Sequence, residues 1–135
     1  KQLAGTKTAT GGVKSLAERA QVQSIVGEST ADLESAEAYI HSVIGDAYEM
    51  ASQGRRLPKE IKAGLRLAAV NATHRSVAAV DRLYQAGGGS SIYENSVLQR
   101  CFRYIHVTTQ HIMVAAPIYE VVGRVQMGLD PRSLL

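Results

Sequence analysis

Apolar residues recur at three- and four-residue steps along two long stretches of this chain, and that period restricts what it can build. Between Gln21 and Gln53 the positions Val22, Ile25, Val26, Leu33, Ala36, Ile40, Val43, Ile44, Ala47 and Met50 follow it. Such spacing brings a side chain back to one face of a helix every turn, whereas a half-buried strand alternates every second residue. One long helix over about 21–53 is the simplest reading. Gly27 and Gly45 weaken it by roughly 1 kcal/mol each relative to alanine, and small residues inside it permit close helix contacts. Gly54 supplies the stop, and Arg55 and Arg56 place positive charge at the carbonyl end.

Pro58 suits the first turn of a second helix, where a missing N–H costs nothing, and Glu60 adds negative charge near its amino end. Ile61, Leu65, Ala68, Ala72, Val80 and Leu83 mark its apolar stripe to about Gln85. Ala68, Ala69, Ala72, Ala78 and Ala79 are strong helix formers and small enough for a neighbour to approach, so this helix is expected to be central and buried. After Gly87-Gly88-Gly89, Asn95 or Ser96 caps a third helix that carries Leu98, Cys101, Phe102, Ile105 and Thr109 on one face. Pro117 restarts the chain, and Ile118, Val121, Val122, Val125 and Leu129 continue a helical stripe until Gly128 and Asp130-Pro131 end it. No stretch alternates like a strand for long. The expected fold is therefore all-α, an up-and-down helical bundle over 21–135, preceded by a leader or loop at 1–20 whose first fifteen residues are rich in Gly, Thr and Lys.

With 135 residues the chain fits one domain, too short for a nucleotide-binding domain beside a substrate domain. Cys101 has no second cysteine to pair with and falls in the apolar pattern, which reads as core filler in a reduced cytoplasmic protein. No stretch reaches the roughly 18 to 20 apolar residues of a membrane helix, and no hydrophobic signal segment stands at the start; a soluble protein without membrane contact is expected. The net charge of +3 comes from Lys and Arg spread along the chain without a stripe, and with no Trp and one Phe the platforms for stacking single-stranded nucleic acid are scarce. No nucleic-acid partner is expected.

Few residues stand out chemically. Gly87, Gly88 and Gly89, followed by Ser90 and Ser91, can adopt positive φ and present N–H groups as anion-binding turns do. The Lys-Ser/Thr of a phosphate loop and the preceding strand of a dinucleotide fingerprint are missing, so a plain connection between helices is the competing reading. His41, His74, His106 and His111 match no zinc spacing, and no metal is expected. His106 and His111 lie about 140° apart around a helix and cannot act as joint ligands on one face. Arg100 and Arg103 lie one helical turn apart just after the glycine turn, and Arg75 and Arg82 lie two turns apart just before it. They suit phosphate or carboxylate recognition, and equally suit solvated side chains paired with Glu94, Asp81 or Glu120.

The run Leu83-Tyr-Gln-Ala-Gly-Gly-Gly-Ser-Ser-Ile-Tyr, then Leu98-Gln-Arg-Cys-Phe-Arg, then Thr109-Gln-His111 resembles the carboxy-terminal domain of acyl-CoA dehydrogenase-like flavoproteins, most closely their flavin-dependent monooxygenase branch. The tail from Tyr119 to Pro131 is similar to the family's last helix, and the likeness extends back to Leu16-Ala-Glu-Arg. It implies a helical bundle that packs against an amino-terminal helical domain and a middle β-domain, with FMN or FAD bound where subunits of a dimer or tetramer meet. It also implies one further helix upstream, of which Gln2 to Thr8 resemble the end, so that an apolar groove is expected where that helix belongs.

The resemblance assigns roles to particular residues. His111 takes the place of a histidine beside the reactive edge of the isoalloxazine, where an imidazole can donate a hydrogen bond to the oxygen adduct. Gly87, Gly88, Gly89, Ser90 and Ser91 take the place of a turn that approaches the flavin phosphate or adenosine across a subunit interface. Arg103 matches an arginine of the same site. Where the family has Arg-Asp this chain has Arg103-Tyr104, which removes a carboxylate. The dehydrogenases place a glutamate base several residues after that pair; here the spacing gives His111-Ile112, and Tyr119-Glu120 lies too far along to replace it. The implied function is thus the carboxy-terminal domain of a monooxygenase that oxidises a small substrate, aromatic ones included, with O2 and reduced flavin from a flavin reductase. The isolated chain is expected to be inactive. The alternatives are an acyl-CoA dehydrogenase domain and a non-catalytic helical dimerisation module.

Overall fold

In the computed structural model residues 15–133 and 135 are described, and they form four α-helices with no strand. These are α1 (Ala20–Ser52), α2 (Lys59–Gly87), α3 (Val97–Thr108) and α4 (Ile118–Gln126), with 3-10 turns at Leu16–Glu18 and Gly88–Ser90. The stops lie where backbone chemistry puts them: Gly54 and Gly128 take φ of 68° and 74°, a conformation that costs a residue with a Cβ. Pro58 and Pro117 stand as the residues just before α2 and α4. Of the leader expected at 1–20, residues 1–14 lie outside the described residues. The remainder is more ordered than a loop: the Ser15 N–H and Oγ both donate to Glu18 Oε2 at 2.8 Å, and these bonds hold the Glu18 carboxyl below its usual range.

The chain doubles back between α1 and α2 and again between α2 and α3. From there α4 continues along α2 in the direction of α3, from His74 beside Tyr119 toward Ala63, and α2 is the shared partner of α1, α3 and α4. Against α1 the match is between small side chains. Ala36 and Ala47 of α1 are buried, as are Ala68 and Ala79 of α2, and small residues let two helix axes approach closely. Between these helices Asp32 of α1 accepts hydrogen bonds from Arg75 Nη1 at 2.9 Å and from Arg82 Nη2. Arg75 and Arg82 therefore pair across the helix interface, with a different carboxylate from the three the sequence offered. Against α4, Ala63 and Val70 of α2 close on Ile118, Val122 and Val125, with Leu67 and Leu135 at the edge.

Gly27 and Gly45 do not serve close packing, because nothing lies within 4 Å of where a Cβ would sit on either. Gly64, by contrast, meets α1 through Val43 at 3.5 Å. Gly27→Ala and Gly45→Ala are each expected to raise the stability of this chain by about 0.5–1 kcal/mol, since alanine restricts the unfolded chain without meeting a neighbour. An unchanged or lower urea midpoint would show that these faces are already covered in solution. The hydrogen bond from Arg82 is the main cause that holds the Asp32 carboxyl below the ordinary carboxylate value; desolvation opposes it, and the charges of Arg75 and Arg82 add to the lowering. A carboxyl lowered in the folded state contributes stability that is fully present above its unfolded pKa of about 3.9 and is lost as pH falls through the folded value. Denaturation midpoints measured from pH 7 to pH 2 should fall less steeply below about pH 4 in Asp32→Asn than in the parent chain.

Candidate functional site

The residues singled out by sequence fall into two places, one at each end of α3. The glycine turn precedes α3 and His111 follows it, so that helix, 12 residues and about 18 Å long, stands between them.

At the first place the three glycines have three different reasons. Gly87, the last residue of α2, is buried, and a Cβ on it would collide with Ser91 Oγ and with Leu98 Cδ1. Gly88 takes φ 55° and ψ −145°, a region essentially restricted to glycine. Gly89 is open, with nothing within 4 Å of a Cβ position. The Gly88 N–H donates to the Gln85 carbonyl and the Ser91 N–H to the Gly88 carbonyl at 2.8 Å, so two of the turn's amides close the turn itself. Ser91 is 0% exposed and its hydroxyl donates to the Tyr84 carbonyl at 2.7 Å. The expectation that the whole turn and both hydroxyls face a ligand is corrected here: Gly87 and Ser91 are spent on packing and on satisfying a helix-end carbonyl, which leaves Gly88, Gly89 and Ser90 as the part facing outward.

Beside this turn runs an apolar groove of about 1210 Å³. Val22, Val26 and Leu33 of α1 form one wall, Val97 and Leu98 of α3 the other, and Gly87 and Ser90 close one end. Ser29 also lines it; its hydroxyl is buried and has no hydrogen-bond partner. The groove lies between α1 and α3, with Leu83 and Ala86 of α2 also lining it.

At the second place, residues 109–117 form successive tight turns rather than a loose loop. The His111 N–H donates to the Thr108 carbonyl and the His111 carbonyl accepts from the Val114 N–H, both at 3.0 Å. The imidazole is exposed, and its Nδ1 accepts the Met113 backbone N–H at 3.2 Å. A peptide N–H only donates, so Nδ1 carries no proton in this arrangement and Nε2 carries it. The ring thus offers one N–H donor to solvent. Met113 was not singled out in the sequence; the only trace is its position two residues after the histidine.

The remaining candidates resolve as follows. Arg103 is exposed, and its guanidinium stacks over the Tyr104 ring 5.4 Å from the centroid; the tyrosine that replaces the family's aspartate therefore meets the arginine by its face. His106 is tied to α2 through Asp81 Oδ1 at 2.9 Å and stacks on Phe102 at 4.4 Å, a structural use. Cys101 is exposed, which corrects its reading as core: Leu98, Phe102 and Ile105 turn toward α2 and leave position 101 on the flank. Glu120 is exposed in the first turn of α4, and Tyr119 packs on His74 at 5.8 Å. Among the described residues no group of three or more His, Cys, Asp or Glu could hold a metal ion.

Residues 1–116 match the family model described as "Acyl-CoA dehydrogenase, C-terminal domain". The chain belongs to this family. The oxygenase subunit HsaA of a flavin-dependent monooxygenase from Mycobacterium tuberculosis H37Rv is 29% identical over 107 residues, 78% of this chain and 27% of that protein. Indole-3-acetate monooxygenase of Pseudomonas putida is 29% identical over 120 residues, 89% of this chain and 31% of that protein. The oxygenase component of p-hydroxyphenylacetate 3-hydroxylase from Acinetobacter baumannii is 32% identical over 108 residues, 78% of this chain and 25% of that protein. The crystal structure of HsaA from M. tuberculosis matches with a TM-score of 0.73 at 28% identity, over 79% of this chain and 28% of that one. The all-α fold of this acyl-CoA dehydrogenase-like group is therefore established, and the chain spans 25–31% of the length of the three curated relatives.

The three glycines make a graded test. Gly87→Ala should lower stability by about 1–3 kcal/mol through overpacking against Ser91 and Leu98, and Gly88→Ala by a similar amount through backbone strain. Gly89→Ala should stay within about 0.5 kcal/mol of the parent. Thermal or urea melts that rank Gly89→Ala with the other two would contradict the division of roles.

Proposed function

We propose that this chain is the carboxy-terminal helical domain of a flavin-dependent monooxygenase that oxidises a small, aromatic substrate, and that His111 faces the flavin ring. The observation that carries this reading is the His111 imidazole itself, exposed and fixed with Nε2–H outward by the Met113 N–H. Reduced flavin, when bound, supplies the electrons that divide O2 between product and water. The contribution of this chain is a directed hydrogen-bond donor beside that chemistry, in place of mobile water. The residues present fit such a group at its other end too: Gly88 and Gly89 have no side chain in the way and Ser90 has a hydroxyl, which suits approach of a phosphate or adenosine from a second subunit. Because the two places lie at opposite ends of α3, they touch different ends of one flavin or different copies of it. Arg103 is the further cofactor-side residue in this reading, and a flavin reductase supplies the reduced FMN or FAD.

What supports oxygenation over dehydrogenation is the naming of the relatives as monooxygenases and hydroxylases, together with the sequence itself, which has His111-Ile112 where the dehydrogenases place their glutamate base. The groove between α1 and α3 receives, in this reading, the helix that precedes α1 in the family's bundle, and homo-oligomer contacts complete the flavin site. None of the four helices is long and apolar enough to cross a membrane.

His111→Ala, placed in the full-length oxygenase and supplied with reduced flavin and O2, should shift the outcome from hydroxylated product to hydrogen peroxide. A lost hydrogen bond to a charged or strongly polar oxygen costs about 1.5–3 kcal/mol, which corresponds to about a 10- to 100-fold rise in the ratio of peroxide to product. Unchanged coupling in this variant would remove His111 from the site.

A further inference from the structure

We infer that Arg66 and Met113 form a positioning pair that sets both the place and the tautomer of His111. The inference rests on the reading of His111 given above but depends on different observations. Arg66 belongs to α2, the helix against which every other helix packs. Its Nη1 donates to the Met113 sulfur across 47 residues of sequence. Met113 in turn gives its backbone N–H to His111 Nδ1. The three residues thus make a relay from the most constrained element of the fold to a side chain that is otherwise exposed.

The geometry of each link defines its task. The thioether has no donor of its own and accepts only weakly, so the guanidinium holds the side chain of Met113 chiefly by lying in contact with its sulfur. With that side chain anchored, the peptide between Ile112 and Met113 keeps its N–H aimed at the ring. An imidazole whose Nδ1 accepts this bond must carry its proton on Nε2; the other tautomer would set N–H against N–H. The pair therefore plays, for a hydrogen-bonding histidine, the part that outer partners play for metal-bound ones: it fixes the tautomer and ring orientation through the nitrogen that faces away from the chemistry. Neither residue touches a reacting atom in this account, and both act through His111.

The test reads the tautomer directly and needs no flavin. In the 135-residue chain with 15N-labelled histidine, two-bond nitrogen–proton spectra at neutral pH should show His111 with a pyridine-like Nδ1 and a pyrrole-like Nε2, assigned by the loss of one spin system in His111→Gln. Arg66→Gln and Met113→Leu should both move the two nitrogens toward averaged shifts, and Arg66→Lys, which restores a donor, should recover most of the parent pattern. The spectra of His74 and His106 in the same samples report whether each variant is folded. A parent His111 already averaged, or protonated on Nδ1, overturns the inference; so does an unchanged pattern in both Arg66→Gln and Met113→Leu. In the full-length oxygenase the same two variants should raise the peroxide-to-product ratio by less than His111→Ala does. If His111→Ala leaves coupling intact while the tautomer lock is found, the role given to His111 fails and the positioning relay stands. If His111→Ala leaks peroxide and no lock is found, the relay fails alone.

Discussion

Everything in this chain depends on how much α2 can carry on its surface at once. One helix serves as the inner wall for three others: α1 lies along one side of it, and α3 and α4 follow one another along a second face marked by Ala63, Val70, His74, Asp81 and Tyr84. That division explains its side chains. Alanine occupies the contact with α1 because axes at close range leave no room for more, while Val70 and its neighbours supply the bulk that α4 can accept. Asp32 with Arg75 and Arg82 adds a polar fastening at the edge of the first contact. A carboxylate held by two guanidinium groups gains geometric definition as well as charge pairing, so it fixes the sliding register that alanines alone leave loose.

The functional residues stand at the two ends of α3, where the chain leaves and rejoins this scaffold. At each end the backbone spends its own hydrogen bonds on holding a shape. The Ser91 hydroxyl satisfies a carbonyl at the end of α2, and the turns after Thr108 close one on another. Of the polar groups singled out, what remains outward is two glycines and a serine at one end and one imidazole nitrogen at the other, among exposed apolar side chains such as Ile92, Tyr93 and Ile112. A site assembled from such pieces needs other surfaces to become a cavity, which agrees with a chain spanning 25–31% of its relatives' length.

The helices were legible in the sequence because their signals are local. Period, proline and glycine act within one or two turns, and the bounds of α1 and α2 came within two residues. The pairing of charges was not legible, since which aspartate meets Arg75 and Arg82 depends on the register of two helices more than forty residues apart in sequence. Cys101 failed for a related reason: the apolar stripe of α3 is wider than the strip that α2 covers, and periodicity alone does not say which edge is left uncovered. The glycine run was visible as a turn, but the separate duties of Gly87, Gly88 and Gly89 appear only when Ser91 and Leu98 are seen closing on the first of them. The Met113 N–H beside His111 is a backbone group, and every residue but proline offers one, so nothing in the residue type could reveal it.

The uncovered thiol of Cys101 has a practical meaning. It stands on the flank of α3, one turn from Val97, whose side chain is 61% exposed and lines the groove. As the chain's single sulfhydryl, it accepts one fluorophore or spin label without any engineering. A reporter attached there would sense whatever comes to lie along α3, turning an accident of composition into a built-in gauge of assembly.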